Sequence, residues 1–197
     1  MKKETSLTHE AQEDIRKAID VMRHGGIILY PTDTIWGIGC DATNAEAVSK
    51  IYKIKQRADA KALITLVDSE AKIEAYVQDV PTMAWELIEN SSQPLTIIYD
   101  HPRYLAPNLL APDGSAAIRI TKEAFSRQLC MQFKRPIVST SANISGQPSP
   151  QTFSDITEEI RQSVDYICCS RQQEKEPSKP SSIIKLSDGN VIKIIRE

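Results

Sequence analysis

Gly25-Gly26-Ile27-Ile28-Leu29-Tyr30-Pro31-Thr32-Asp33-Thr34 is the stretch on which the reading of the fold turns. Ile27 to Tyr30, an apolar run between a glycine pair and a proline, reads as a buried strand. Ahead of it, Ala11, Ile15, Ala18, Ile19 and Met22 recur at helical spacing, and the glycines stand where that helix would stop. Behind it, a loop through Trp36, Gly37 and Gly39 leads to Asn44. That asparagine is a good N-cap for a helix with apolar positions Ala47, Val48, Ile51 and Ile54.

The same rhythm continues along the chain. Leu63 to Val67 reads as a strand, Ser69 caps a short helix to Val77, Pro81 opens another through Ile88, and Leu95 to Tyr99 returns as a strand. Pro102 to Gly114 is a long, proline-rich loop. Ala116 to Ile120 and Pro136 to Ser139 read as strands around a helix at Ala124 to Phe133, and Ile156 to Ile160 as one short helix. Arg171 to Pro180 is polar and charged, which predicts a mobile surface loop. Ser182 to Leu186 and Val191 to Ile195 flank Asp188-Gly189-Asn190, a hairpin signal. The expectation is an α/β fold: one domain over residues 1–197, with helices packed on a twisted mixed β-sheet.

Composition narrows the function classes. With 197 residues, 41% hydrophobic and 25% charged, the chain is an ordinary globular one. Lys and Arg number 24 against 26 Asp and Glu, a net charge of −2, so any polyanion site must be a local patch. Cys40, Cys130, Cys168 and Cys169 lack C-x-x-C spacing, which favours reduced thiols over zinc or a disulfide framework. No apolar leader and no run near the ~18 residues of a membrane span is present, so a cytoplasmic protein without membrane contact is expected.

Gly37-Ile38-Gly39-Cys40-Asp41-Ala42 fits G-x-G-x-x-A, but the helix is capped only at Asn44, too late for its amides to face a pyrophosphate. There is no P-loop, no G-x-S-x-G and no H-E-x-x-H. Three groups of polar donors at element ends remain. Lys55-Gln56-Arg57 with Lys61 reads either as a solvated helix end or as a phosphate clamp. Ser139-Thr140-Ser141-Ala142-Asn143 reads either as a turn or as a nucleotide cradle without a P-loop. Pro31-Thr32-Asp33-Thr34 reads either as a plain turn or as a holder of a polar small molecule.

In this order, the groups closely resemble the YrdC-like threonylcarbamoyl-AMP synthase family. Pro31 to Ile38 matches the family's P-T-[DE]-T-x-[YW]-G-[LI], Lys55 and Arg57 its K-x-R, and Ser141 and Asn143 its S-x-N. The resemblance implies a YrdC-like open α/β fold with a concave ligand-binding face, in its short single-domain form. It also implies a nucleotidyltransferase reaction in which L-threonine, bicarbonate and ATP, with Mg²⁺ on the phosphates, become threonylcarbamoyl-AMP and pyrophosphate. The product would feed tRNA threonylcarbamoyladenosine modification through downstream tRNA threonylcarbamoyl-transferase enzymes. By matching positions, the resemblance makes Lys55, Arg57, Ser141 and Asn143 catalytic. It assigns Arg57, Lys61, Ser115, Ser141, Asn143, Ser149 and Arg196 to ATP. To threonine it assigns Thr34, Leu66, Arg119, Ser139 and Ser181, with Arg119 the partner of the carboxylate. No protein metal site is assigned.

The sequence also departs from the family pattern. Ser91-Ser92-Gln93 replaces the usual W-P-G, Ala62 replaces a proline, and Cys168-Cys169-Ser170 replaces glycines before the late loop. Two rival readings are an RNA-binding YrdC-like module, whose possible RNA contact would weaken steeply with salt, and a relative making an adenylate from carbamoyl phosphate.

Overall fold

Residues 27 to 30 alternate between two cores, and this alternation sets the layers. Ile27 and Leu29 pack in one apolar cluster with Trp36, Ile38, Val48, Ile51 and Val138. Ile28 and Tyr30 pack in the other, with Ile15, Met22, Phe125, Leu129 and Phe133. A strand flanked by apolar layers on both faces is the centre of an α/β sandwich. The structure, a computed structural model, describes residues 7–56, 63–187 and 191–196.

The first helix, α1 (His9–Arg23), is capped by Thr8, whose hydroxyl accepts from the Ala11 amide. Gly25 then turns the chain at φ +74°, a conformation that glycine adopts without a Cβ penalty. β1 (Ile28–Tyr30) follows, then β2 (Gly37–Gly39) and α2 (Ala45–Ile54), where Asn44 accepts from the amides of Glu46 and Ala47 as expected. β3 (Ile64–Val67), α3 (Glu70–Tyr76), α4 (Thr82–Asn90), β4 (Leu95–Tyr99) and β5 (Ala116–Ile120) come next. α5 (Ala124–Phe133) is capped by Glu123, whose carboxylate accepts from the amides of Phe125 and Ser126. β6 (Ile137–Ser141), α6 (Glu158–Gln162), β7 (Tyr166–Ile167), β8 (Ser182–Ser187) and β9 (Val191–Arg196) complete the order.

The strands make one mixed sheet in the order β7-β1-β2-β6-β3-β5-β4-β8-β9. The pairs β1·β7, β3·β5 and β4·β8 are parallel, and the others are antiparallel. Beyond the two cores named above, a third lies under α3 and α4, where Ile73, Val77, Ala84 and Ile88 meet Ile97, Tyr99, Ile118 and Leu186. Cys40, Cys130 and Cys168 are buried free thiols that pack as small apolar side chains. No helix among the described residues is long and apolar enough to cross a membrane.

Four local expectations need correction. Gly37 to Gly39 is a strand rather than part of a loop, paired with both β1 and β6. Its glycines hide it, because they lower strand propensity while permitting a close approach. A Cβ on Gly39 would lie 2.6 Å from Tyr30 Cε1 and 2.7 Å from the Val138 carbonyl. Gly39→Ala is therefore expected to destabilise the fold by about 1–3 kcal/mol. Chemical denaturation measures this, and an unchanged midpoint would show that the sheet has slack there. Secondly, Ser69 precedes α3 but its side chain makes no cap bond. The third correction concerns the region of Ile156, which is a 3₁₀ turn at Phe153–Asp155 followed by α6 rather than one helix. Finally, Tyr166–Ile167 adds an edge strand too short to announce itself in the sequence. The two arms of the terminal hairpin pair as expected, and its Asp188-Gly189-Asn190 turn lies outside the described residues.

Candidate functional site

Pro31 ends β1, and the chain closes into a turn built from its own hydroxyls. Thr32, 2% exposed, accepts from the Thr34 amide at 3.0 Å and donates to the Ile35 carbonyl at 2.8 Å. The Thr34 hydroxyl lies 3.0 Å from the Thr32 hydroxyl and accepts from Arg119 Nη2 at 3.3 Å. Arg119 is the penultimate residue of β5, whose alternation puts Ile118 in the third core and Arg119 on the other face. Its guanidinium is also 2.9 Å from Asp33 Oδ1, with both side chains almost wholly buried. That contact is an ion pair without hydrogen-bond geometry, and Arg119 Nε is buried with no partner among the described residues. Burial holds the Asp33 carboxyl above the usual carboxylate range, although Arg119 pulls it down.

Arg119 opens onto a cavity of about 250 Å³. Thr34, Ser139, Thr140, Ser141, Ser149 and Ser181 supply hydroxyls to its wall, Trp36, Leu63, Ile64 and Ile183 supply apolar surface, and Arg196 a second guanidinium. No carboxylate is among these lining residues. β8 and β9 bring the last two groups together, with Arg196 Nε and Nη2 donating to the Ser181 carbonyl at 2.9 and 2.7 Å. Burial first, and the like charge of Arg119 second, lower the pKa of Arg196. Two guanidiniums on one cavity, with no carboxylate among its described lining residues, suit an anion, although Arg119 already pairs with Asp33.

Lys55 is more deeply placed than a surface clamp. At 3% exposure, its Nζ donates to the Ser141 carbonyl at 2.6 Å, the Asn143 carbonyl at 2.7 Å and Asn143 Oδ1 at 3.0 Å. Ser141 donates its hydroxyl to Asn143 Oδ1 at 2.5 Å, and Asn143 Nδ2 donates to the Gln147 carbonyl at 2.6 Å. The Ser145 amide closes back on the Lys55 carbonyl at 3.0 Å. The end of α2 and the exit of β6 are thus cross-linked through one buried ammonium.

Seven of the expected residues, Thr34, Arg119, Ser139, Ser141, Ser149, Ser181 and Arg196, line the one cavity. Lys55 and Asn143 stand directly behind its Ser141 wall. Leu66 is not on the wall. It is fully buried in the core that holds Tyr30 and Ile137, whereas Leu63 and Ile64 of the same stretch do line the cavity. Ser115 also faces elsewhere, donating its hydroxyl to Asp113 at 2.6 Å beside the Lys185 ammonium. Arg57 and Lys61 lie outside the described residues. The sequence reading missed Asp33 as the partner of Arg119 and Trp36 as a wall. Both sit inside the quoted Pro31 to Ile38 motif, so the signal was present without its geometry.

Comparison with known proteins adds a family to this geometry. The Sua5_yciO_yrdC family model, described as "Telomere recombination", matches residues 20–197. A Methanocaldococcus jannaschii relative is 36% identical over 190 residues, covering 93% of this chain and 87% of its own. A Pseudoalteromonas translucida relative, named threonylcarbamoyl-AMP synthase, is 29% identical over 189 residues, covering 92% of this chain and 98% of its own. The Sua5 protein of P. abyssi, solved in complex with L-threonine, superposes with a TM-score of 0.79 at 25% identity. That match covers 92% of this chain and 52% of the Sua5 chain, so this protein spans about half of that one. A model match over most of the chain and these relatives together place the protein in the Sua5/YciO/YrdC family.

Proposed function

We propose that the protein is an L-threonylcarbamoyladenylate synthase. The observation that carries the reading is Arg119, a buried guanidinium whose Nε has no partner among the described residues, on a cavity whose described lining is ringed by hydroxyls and holds no carboxylate. An amino-acid carboxylate would take that guanidinium, while Thr34, Ser139 and Ser181 hold the amino acid's hydroxyl and amine. Ser141, Asn143, Ser149 and Arg196 would hold the nucleotide next to it, with Arg57 and Lys61 toward the phosphates. Lys55 would hold the Ser141–Asn143 segment and lend its charge from behind.

In the reaction, the neutral amine of threonine takes up CO₂ from bicarbonate to give a carbamate. A carbamate oxygen then attacks the α-phosphorus of ATP, the bond to the β-phosphate oxygen breaks, and pyrophosphate leaves. Overall, threonine, bicarbonate and ATP become threonylcarbamoyl-AMP, pyrophosphate and water. No protein nucleophile is required, so the chain's work is orientation and charge neutralisation. Among the described residues no group of three His, Cys, Asp or Glu side chains converges to hold a metal. Mg²⁺ would be carried on the nucleotide phosphates, where it would neutralise their charge when bound. The adenylate would pass to tRNA threonylcarbamoyl-transferring enzymes in the cytoplasm.

The test incubates the protein with ATP, Mg²⁺ and bicarbonate, with and without L-threonine. Pyrophosphate and an adenylate of the threonylcarbamoyl mass are expected only with threonine. Release driven by carbamoyl phosphate, or salt-sensitive RNA binding without turnover, would replace this reading with one of its rivals.

A further inference from the structure

We infer that Arg171, which does not line the cavity, is a positioning residue for its amino-acid half, acting through the Thr32–Thr34 turn. The inference rests on the proposed threonine site. After β7 the chain is nailed to α1 by Asp14, 4% exposed, which accepts from Tyr166 Oη at 2.7 Å and from the amides of Cys169 and Ser170 at 3.1 and 2.8 Å. The next residue, Arg171, takes φ +62°, in the left-handed region that a long side chain adopts only when its surroundings over-determine it.

What over-determines it is the fork of its guanidinium. Nε and Nη2 donate to the two carboxylate oxygens of Glu174 at 2.8 Å each, and Nη1 donates to the Thr32 carbonyl at 2.9 Å. Glu123, the cap of α5, adds a second carboxylate 3.4 Å from Nη1. The segment expected to be a mobile surface loop does run over the surface, but it is moored at its first residue, and its last residue, Pro180, forms cavity wall with Ser181 next to it.

The Thr32 carbonyl belongs to the peptide plane that carries the Asp33 amide. Fixing that plane from outside aims Asp33 at Arg119, 2.9 Å away, and Thr34 at the same guanidinium. Arg171 is thus one peptide removed from the group expected to receive the carboxylate. The Ser141–Asn143–Lys55 network on the nucleotide side shares none of these bonds. Losing the latch should loosen the amino-acid half and leave the nucleotide half intact.

Calorimetric titration of L-threonine, and separately of a non-hydrolysable ATP analogue, tests this on the wild-type chain and on Arg171→Ala, Arg171→Gly and Arg171→Lys. Both the alanine and the glycine variant should raise the threonine Kd about tenfold, the scale of one charge-assisted hydrogen bond, with the analogue's Kd within about twofold. Glycine relieves the backbone while still lacking the fork, so agreement between the two isolates the side chain. Lysine, which can reach Thr32 but cannot bridge Glu174, should fall between them and the wild type. Amide exchange at Thr34 should accelerate in the alanine variant. An unchanged threonine Kd in both variants overturns the inference, as does an equal loss for both ligands, which would mark a merely structural residue. A wild-type chain that binds the analogue but not threonine would overturn the amino-acid reading itself, and the latch with it.

Discussion

Arg119→Met is expected to lower kcat/KM for threonine by about three orders of magnitude, the sum of two charge-assisted hydrogen bonds to a carboxylate. The same change strands the Asp33 carboxylate, which lies 2.9 Å from the guanidinium and is 9% exposed. Removing one partner of a buried pair costs about 3–5 kcal/mol of stability. The double variant Arg119→Met/Asp33→Asn separates the two effects, because it leaves no unpaired charge. It should regain most of the unfolding midpoint and none of the activity. Steady-state kinetics in threonine and urea denaturation read the two quantities, and recovery of activity along with stability would show that Arg119 only supports the fold.

The single variant carries a pH signature as well. Burial already raises the Asp33 pKa with Arg119 present, and removing the cation raises it further. An acid whose folded pKa exceeds its unfolded value binds more protons when folded, so its favourable contribution is full at low pH. That contribution is lost as pH rises above the unfolded value of about 3.9 and through the raised folded one. Arg119→Met should therefore become less stable over that window relative to Arg119→Met/Asp33→Asn.

Lys55→Met carries the second large effect, and it discriminates two mechanisms. A lysine that serves only as a phosphate clamp can be removed with loss of catalysis and little loss of stability. In the structure its Nζ satisfies the carbonyls of Ser141 and Asn143 and Asn143 Oδ1. Deleting it leaves those acceptors buried beside an apolar chain. The expected result is about 3 kcal/mol of lost stability together with a fall in adenylate formation of about 10²-fold or more, seen chiefly as weaker ATP use. Lys55→Arg should rescue neither, because a planar fork cannot place its donors where the acceptors of Ser141 and Asn143 converge on a point. An unfolding midpoint that stays put while activity disappears would restore the simple clamp.

The late loop and the cavity show where the sequence stopped being legible. Arg171 to Pro180 reads as solvated chain because its composition is polar, and polarity cannot distinguish a side chain facing water from one facing a carbonyl 139 positions earlier. The resemblance gives Leu66 to the cavity by position only; Leu66 shares the strand face of Ile64 and Arg119, yet its own side chain is fully buried in the core. Ser115 followed the same reasoning and faces Asp113 instead.

Sequence alone determined what local physics controls: the helical periods of α1 and α2, the span of α5, the Asn44 cap, most strand centres, and three polar groups at element ends whose order announced the family. These follow from spacing within a few residues, where side-chain direction and capping depend only on near neighbours. Tertiary structure alone decided that β6 lies between β2 and β3, which brings Ser139 and Ser141 opposite Ile64 and Gly37. It also decided that Lys55 spends its protons on Ser141 and Asn143, and that Arg119 meets Asp33. Those partners lie more than 80 residues apart in the chain. Strand order and buried charge pairing are settled by which faces pack together, and no short window of sequence contains that information.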